Sequence, residues 1–391
     1  PMEGFVAHED VLAASRAEEP ADQTAGSTMF YTSGTTGRPN GVKTSLIPVG
    51  GPANTVQALL EAFGGLLQFP SGPDEQALIM APAYHSGPFA TTIVAAALGA
   101  TVHLRQKFDP EGMLAAIQEV GATIAYAVPT HFVRLLRLAD EVKQRYDVSS
   151  LKYVLHTAAP CPPEVKKQMI EWWGPVIYEG YGATEGGFVT FVTSDEYLAK
   201  PGTIGKVLPT HELMVVGEDG ERLGTGEVGQ LYFKSLFGTD FEYHNAPEKT
   251  KDAHLEPGVF TFGDVGSVDE DGFVFLSDRK IDMVISGGVN IYPAEIEAAL
   301  VNHPAVADVA VFGVPNEEFG EEVKAVVEPA PGYEPSDDLV ADLQRYCREH
   351  LAGYKVPRSF DFVEALPRTA TGKLLKRTLR DPYWDTTGRA I

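Results

Sequence analysis

The sequence predicts an α/β protein: a large N-terminal domain of parallel-sheet βαβ units plus a β-rich subdomain, and a small α+β C-terminal domain. Three observations carry that expectation. Short apolar runs alternate with segments of helical period from about residue 56 to residue 181, the pattern of parallel strands joined by crossover helices. From about Gly202 the runs shorten and are separated by Glu218-Asp219-Gly220, Gly224-Thr225-Gly226 and Asp271-Gly272, which read as hairpin turns. A second change falls at Ser277-Asp278-Arg279-Lys280, so a domain boundary is expected near residue 280, dividing 1–280 from 281–391.

In order, residues 1–28 are polar and acidic without a clear period and read as a connecting segment. Met29, Phe30 and Tyr31 read as the end of a strand. Val56–Phe63 looks helical, Ala77–Pro82 reads as a buried strand, Phe89–Leu98 as an apolar helix and Thr101–Leu104 as a short strand. Asp109-Pro110 is a helix start, with the Asp as cap and Pro in the first turn. Met113, Ile117 and Val120 follow at helical spacing until Gly121 stops the helix. Thr123–Val128 and Leu151–His156 read as strands, His131–Ala139 and Pro162–Trp173 as helices, and Pro175–Tyr178 as a strand leading into the polar run Glu179–Glu185. The β-rich stretch spans 202–276. Beyond 280 lie a helix at Pro293–Val301, strands near Ala305–Val314 and Val323–Val327, and a helix at Asp337–Leu351.

At 391 residues, 44% hydrophobic and 10% aromatic, the composition is that of a globular chain with a large core. The net charge of −23, from 54 acidic and 31 basic residues, argues against nucleic acid as a partner, because such proteins carry basic footprints. An anionic ligand would therefore need positive groups concentrated locally. The two cysteines, Cys161 and Cys347, build neither a disulfide framework nor a CxxC metal site, and a reducing compartment is the simpler reading. No run of apolar residues is long enough to span a membrane, and the start is neither a signal nor a transit peptide. A cytoplasmic protein is the expectation, and a homodimer is among the assemblies that the sequence allows.

The chemistry concentrates in polar loops that follow predicted strands. Thr32, Ser33, Gly34, Thr35, Thr36 and Gly37 pack hydroxyls and glycines behind an apolar strand, which suits a phosphate chain that needs close backbone N–H groups and short donors. A Gly-rich linker contains the same residue types but lacks the strand in front and Arg38-Pro39 behind. No Gly-Lys-Ser/Thr closes the loop, so it is not a Walker loop. Tyr181-Gly182-Ala183-Thr184-Glu185 offers a ring, a hydroxyl and a carboxylate within a short stretch. Asp264, in Gly263-Asp264-Val265-Gly266, can accept two hydrogen bonds from a vicinal diol with charge assistance, although taken alone it would more commonly be a hairpin-turn aspartate. His85, in Ala83-Tyr84-His85-Ser86-Gly87, reads equally as a site residue or a structural one. Ligands in such sheets sit beyond the carboxyl ends of the strands, so these loops could converge on one pocket.

Their order along the chain is more specific than any one of them. Tyr31–Pro39, then Tyr181–Glu185, then Gly263–Gly266, then Asp278-Arg279-Lys280-Ile281-Asp282-Met283-Val284-Ile285-Ser286-Gly287-Gly288-Val289-Asn290-Ile291-Tyr292-Pro293, then Pro367-Arg368-Thr369-Ala370-Thr371-Gly372-Lys373 resembles the adenylate-forming (AMP-binding) superfamily over Met29 to Arg377. Within it, the Ile285–Pro293 stretch most resembles bacterial acyl-CoA synthetases and fatty-acid–CoA ligases. The resemblance implies a mobile C-terminal domain and ATP, Mg²⁺ and CoA as cofactors. It also implies a small-molecule carboxylic acid as substrate, with fatty, steroid and aryl acids all fitting. Acyl-AMP would form first, and the CoA thiol would then displace AMP. By the same resemblance, Tyr181 stacks on adenine with Gly180 and Gly182 beside it, and Thr157, Ala158, Ala159 and Pro160 line the adenine pocket. Thr184 bonds the α-phosphate and Glu185 helps hold Mg²⁺. Asp264 and Arg279 contact the ribose, and His85 stands between the ATP and acyl pockets. Gly287 and Gly288 leave room for the pantetheine arm. Lys373 bridges the acid carboxylate and the α-phosphate during adenylation, a role suited to a compact mobile charge.

Several positions depart from the superfamily pattern. Its phosphate loop usually reads Gly-x-Pro-Lys-Gly, whereas Arg38-Pro39-Asn40-Gly41 stands here. Asn40 can donate a hydrogen bond but carries no charge, and Lys43, three residues later, could partly compensate. Thr157 and Ala158 occupy positions that are often Gly, Ile281 the position of the usual hinge residue, and Asn290 a position that is often Arg. Relatives carry a substantial segment ahead of the phosphate loop, so either the sequence begins inside the protein or the first subdomain is shortened. Two rival readings follow: an adenylating enzyme that passes the acyl group to a carrier-protein thiol or another nucleophile, and a nucleotide-binding homologue without turnover.

Overall fold

The computed structural model describes residues 6–18, 28–32, 40–45, 54–279, 281–368 and 374–384, with backbone alone at 40, 54 and 279. Its centre is a 13-stranded mixed sheet. Strands Gln76–Ile79, Thr101–Leu104, Ile124–Ala127, Tyr153–His156 and Ile177–Ala183 pair in parallel, joined by helices that include Ser86–Ala97, Pro110–Val120, Pro129–Leu136 and Pro163–Trp173. Strands Ile124–Ala127 and Tyr153–His156 are buried along their whole length, because helices cover both faces. Successive residues go to opposite faces: Ala125, Ala127 and Val154 join the core with Phe132, Met169 and Trp173. Ile124, Tyr153 and Leu155 join the one with Val94, Phe69 and Phe191.

Local chemistry sets the boundaries. Asp109 caps its helix by accepting the Gly112 N–H at 2.6 Å, and Gly121 ends it with a φ of 60°, a left-handed turn that glycine adopts without penalty. The β-rich stretch continues the same sheet edge to edge. Ile177–Ala183 turns back antiparallel into Gly187–Val192, which pairs with Thr203–Val207 and then with the strands out to Asp264–Val268 and Phe273–Arg279. Apart from it, Met29–Thr32, Asn40–Thr44 and Phe241–Tyr243 form a three-stranded antiparallel sheet.

A five-stranded sheet follows, built from Val284–Ser286, Val289–Ile291, Val306–Asn316, Gly320–Pro329 and the parallel strand Ser359–Phe362. Helices Pro293–Leu300 and Asp337–His350 close its core through Ile296, Leu300, Leu339 and Leu343. It docks on the larger part through Asp278, which accepts the Ala294 N–H at 2.8 Å, and Arg137, which donates to the Val306 carbonyl at 3.1 Å.

Two sequence expectations change. Residues 1–28 are not wholly without order, since His8–Ala14 forms a seven-residue exposed helix. The strand expected at Pro175–Tyr178 runs on to Ala183, because the glycines that suggested a loop allow close pairing. A Cβ on Gly182 would lie 1.9 Å from the Gly187 carbonyl oxygen, so only glycine fits there.

Candidate functional site

The Tyr181–Glu185 motif is thus the end of a β-hairpin rather than a free loop. Tyr181, Gly182 and Ala183 lie in the strand, and Thr184, Glu185 and Gly186 make its turn. A register shift between Tyr181 and Gly182 bends the strand there, as bulges do. The Tyr181 ring packs edge-on against Phe262 at 5.9 Å and tilted against Phe233 at 6.1 Å. Its hydroxyl donates to Asp264 Oδ2 at 2.5 Å, which ties together two motifs 83 residues apart. Asp264 is buried and opens its strand opposite Arg279, its register partner.

Thr184 and Glu185 reach to different neighbours. Thr184 Oγ1 lies 3.0 Å from Ser86 Oγ, the first residue of the Ser86–Ala97 helix, and His85 is the cap of the same helix. Burial pushes the His85 imidazole below its ordinary value, so it is neutral near pH 7, and its ring lies against Tyr84 at 4.5 Å. Glu185 Oε1 accepts the Tyr243 hydroxyl at 2.9 Å. Since Tyr243 pairs with Val42, this bond ties Glu185 to the small sheet that carries the phosphate-loop hairpin. Thr32 ends the first strand of that hairpin, half-buried and opposite Asn40. Ser33, Gly34, Thr35, Thr36 and Gly37 lie outside the described residues, as do the side chain of Arg279 and the whole of Lys373.

Thr157 is buried, and Ala158, Ala159 and Pro160 are exposed directly beyond the Tyr153–His156 strand. Ala158 has a φ of 77°, a left-handed conformation that costs an L-alanine and that glycine adopts freely. Behind this loop and the hairpin sits a buried ionic group that the sequence did not signal. His156 and Glu179 are register partners on adjacent strands. Lys166, from the buried face of the Pro163–Trp173 helix, donates to Glu179 Oε2 at 2.6 Å and lies 3.8 Å over the Tyr197 ring. His156 Nε2 is 3.4 Å from the same carboxylate oxygen. Burial by itself would push the Glu179 carboxyl up, but Lys166 and His156 overcome it and hold it at about 2. Burial also pushes the His156 imidazole down, with Glu179 opposing.

Gly287 and Gly288 form the turn between Val284–Ser286 and Val289–Ile291, with φ of 58° and 81°, so both require glycine-like backbone. They lie in the C-terminal sheet. Lys43 does not face Glu185, because it pairs with Glu242 at 2.9 Å on the exposed face of its strand. Ser86 was within reach of sequence reasoning, as the neighbour of His85. Tyr243, Lys166 and Glu179 were not, since only sheet pairing brings them in. The donor set suits a nucleotide with a hard cation: a buried carboxylate, a hydroxyl, a ring and a further carboxylate. Among the described residues no three His, Cys, Asp or Glu side chains gather as a metal cage.

The family model for the AMP-binding enzyme matches residues 3–238, and that for the AMP-binding enzyme C-terminal domain matches residues 295–373. The chain belongs to the AMP-binding enzyme family. It is an adenylate-forming enzyme of the acyl-CoA ligase type, an AMP-forming acid–thiol ligase, and this family uses ATP, Mg²⁺ and CoA. It is 35% identical over 370 residues to a feruloyl-CoA synthase of an Amycolatopsis species, covering 93% of this chain and 72% of the relative. It is 34% identical over 380 residues to the long-chain-fatty-acid–CoA ligase FadD13 of Mycobacterium tuberculosis, covering 95% and 71%. The structure of the amide bond synthetase McbA from Marinactinospora thermotolerans superposes with a TM-score of 0.76 at 30% identity, covering 91% of this chain and 69% of that one. Among the described residues no helix is long and apolar enough to cross a membrane.

Proposed function

We propose that the protein activates a small-molecule carboxylic acid with ATP and transfers the acyl group to CoA. The observation that carries the reading is the hydrogen bond from Tyr181 to Asp264 at 2.5 Å, which joins the motif that holds the ring, Thr184 and Glu185 to the motif that holds Asp264. In the first step a carboxylate oxygen attacks the α-phosphorus, the bond to the bridging oxygen breaks, and that electron pair leaves on pyrophosphate. In the second, the CoA sulfur attacks the acyl carbon, AMP leaves and the thiol proton goes to water.

Tyr181 offers its ring to adenine, and Asp264 with Arg279 takes the ribose diol. Thr184, positioned by Ser86 at 3.0 Å, donates to an α-phosphate oxygen as negative charge grows there, the kind of aimed donor that stabilises a transition state. Glu185, oriented by Tyr243, would hold Mg²⁺, which would supply positive charge against the phosphates. Neutral His85 borders the acyl side without adding charge. Lys373 serves adenylation alone, and Gly287 and Gly288 admit the pantetheine arm. Residues 1–280 form the adenylating domain and 281–391 the domain that brings Lys373 and the glycine turn.

The test is ATP–pyrophosphate exchange and AMP release over a panel of fatty, aryl and steroid acids, with and without CoA. Acid-dependent exchange and a CoA-dependent thioester are expected. Exchange without a thioester from any acid would sink the CoA assignment. The likeness to an amide bond synthetase favours an amine as acceptor in that case, which the same assay reads by replacing CoA with amines.

A further inference from the structure

We propose that Lys249 neutralises the pyrophosphate end of bound ATP, supplying the charge that Asn40 lacks. This rests on the adenylation reading above.

The small sheet excludes Lys43 from that role. Directly paired residues of antiparallel strands share a face, and successive residues alternate. Lys43 pairs with Glu242, and their side chains, 47% and 60% exposed, form an ion pair at 2.9 Å. Val42 pairs with Tyr243 on the opposite face, where Val42 is fully buried and the Tyr243 hydroxyl reaches Glu185 at 2.9 Å. The Lys43 charge is therefore turned away from Glu185 and already engaged.

Lys249 stands on the other face. It belongs to the short helix Pro247–Asp252, and its Nζ lies 4.1 Å from the centroid of the Tyr243 ring. Burial pushes this ammonium below its ordinary value, and the Glu185 carboxylate pushes it back. Among the described residues no carboxylate comes within ion-pair distance of Nζ and no hydrogen bond holds it. A half-buried ammonium with three donors and only a ring beneath it is poorly compensated. An anion arriving beside Glu185 would complete it. The chemistry there matches: Glu185 takes the cation side of a Mg²⁺–polyphosphate, and Lys249 the anionic oxygens beyond it. Because the electron pair of the broken phosphorus–oxygen bond leaves on pyrophosphate, the attraction grows along the reaction and lowers its barrier.

The test replaces Lys249 by Met, which keeps length and removes charge, and by Arg, which restores it. Calorimetry with Mg·ATP, Mg·pyrophosphate and AMP is combined with ATP–pyrophosphate exchange. For Lys249→Met we expect affinity for Mg·ATP and Mg·pyrophosphate to fall about tenfold or more, the size of a lost charge-assisted hydrogen bond. AMP affinity should stay within about twofold, thioester formation from supplied acyl-AMP should be unchanged, and Lys249→Arg should recover pyrophosphate affinity. Equal losses for ATP and AMP would mark a merely structural lysine, and no loss for either would remove it from the site. Exchange absent from wild type with every acid would overturn the adenylation reading, while the Mg·pyrophosphate arm still decides the fate of Lys249.

Discussion

Replacing Lys166 by methionine strands Glu179 in the interior. The lysine side chain is fully buried and that of Glu179 is 8% exposed, so water cannot take over the lost partner. Lys166, with His156, holds the Glu179 carboxyl at about 2 against a reference of 4.5. That difference, at about 1.4 kcal/mol per unit, corresponds to about 3 kcal/mol of stability at neutral pH. Measured losses on breaking buried ion pairs, about 3–5 kcal/mol, agree with that figure. The sign follows from the depressed carboxyl: the contribution is present above pH 4.5 and is lost as pH falls towards 2. Trp172 and Trp173 end the helix that carries Lys166, so urea unfolding followed by their fluorescence reads the region directly. At pH 7 Lys166→Met should lose about 3 kcal/mol, and adding Glu179→Leu should recover most of it, because an apolar pair of similar volume replaces the charges without desolvation. A loss below about 1 kcal/mol, or a double variant no better than the single one, would refute the view that this pair is held in place by mutual compensation.

Further outcomes follow from the same structure. His131 is pushed down to about 3 by burial, stacks on Phe108 at 3.7 Å and leaves Nδ1 without a partner among the described residues. Such a group folds neutral, so its contribution is whole above pH 6.5 and falls by about 1.4 kcal/mol per unit below it. Urea midpoints from pH 7.5 to 5 should therefore decline, and His131→Asn should flatten the decline; an unchanged slope would contradict this. Ala158→Gly removes a left-handed alanine costing about 1–2 kcal/mol and adds about 0.5–1 of chain entropy, so thermal unfolding should rise slightly, and a fall would show that the Ala158 methyl matters more than its φ. Lys373→Ala should cripple acyl-AMP formation while sparing thioester formation from supplied acyl-AMP, and equal loss in both halves would contradict its assignment to adenylation.

What the sequence revealed and what it hid divide along a physical line. Alternation of apolar runs placed the first four parallel strands to within a few residues, since a strand covered on both faces must be continuously apolar. Asp109-Pro110 and Gly121 fixed a helix because caps act within one turn of the residues they serve. The motifs named Tyr181, Thr184, Glu185 and Asp264, and the structure brings Tyr181 into contact with Asp264. Hidden were the features made by pairing between distant segments. No local pattern announces that the Tyr181 motif closes a hairpin on Phe188, or that the β-rich stretch extends the parallel sheet. Nor does one announce that Tyr243 reaches Glu185 across 58 residues. Lys166 is the clearest case. Its spacing with Val165, Met169 and Ile170 puts it on the buried face of an amphipathic helix, where a sequence reader expects an error or an exposed exception. Its reason lies on the strand beside it, in Glu179.

The same reasoning applies to charge. A chain carrying −23 that binds a polyphosphate must place its cations where they act on the ligand and not on its own carboxylates. Lys43 fails that condition, since Glu242 already answers it. Lys166 fails it too, because Glu179 consumes its charge in the interior. Lys249 meets it. Tyr243 holds it through a ring face rather than a carboxylate, and a ring stabilises an ammonium without neutralising it. The neighbouring tyrosine thus does two things at once: its hydroxyl orients Glu185 and its face keeps Lys249 charged and unspent beside it. Tyr243→Leu would separate these from the charge itself, because it leaves Lys249 in place. It should weaken Mg·ATP through both neighbours and leave AMP binding intact, whereas Tyr243→Phe should retain the Lys249 contribution and lose only the orientation of Glu185. Equal Mg·ATP affinity in the two variants would mean that the ring does not support the lysine.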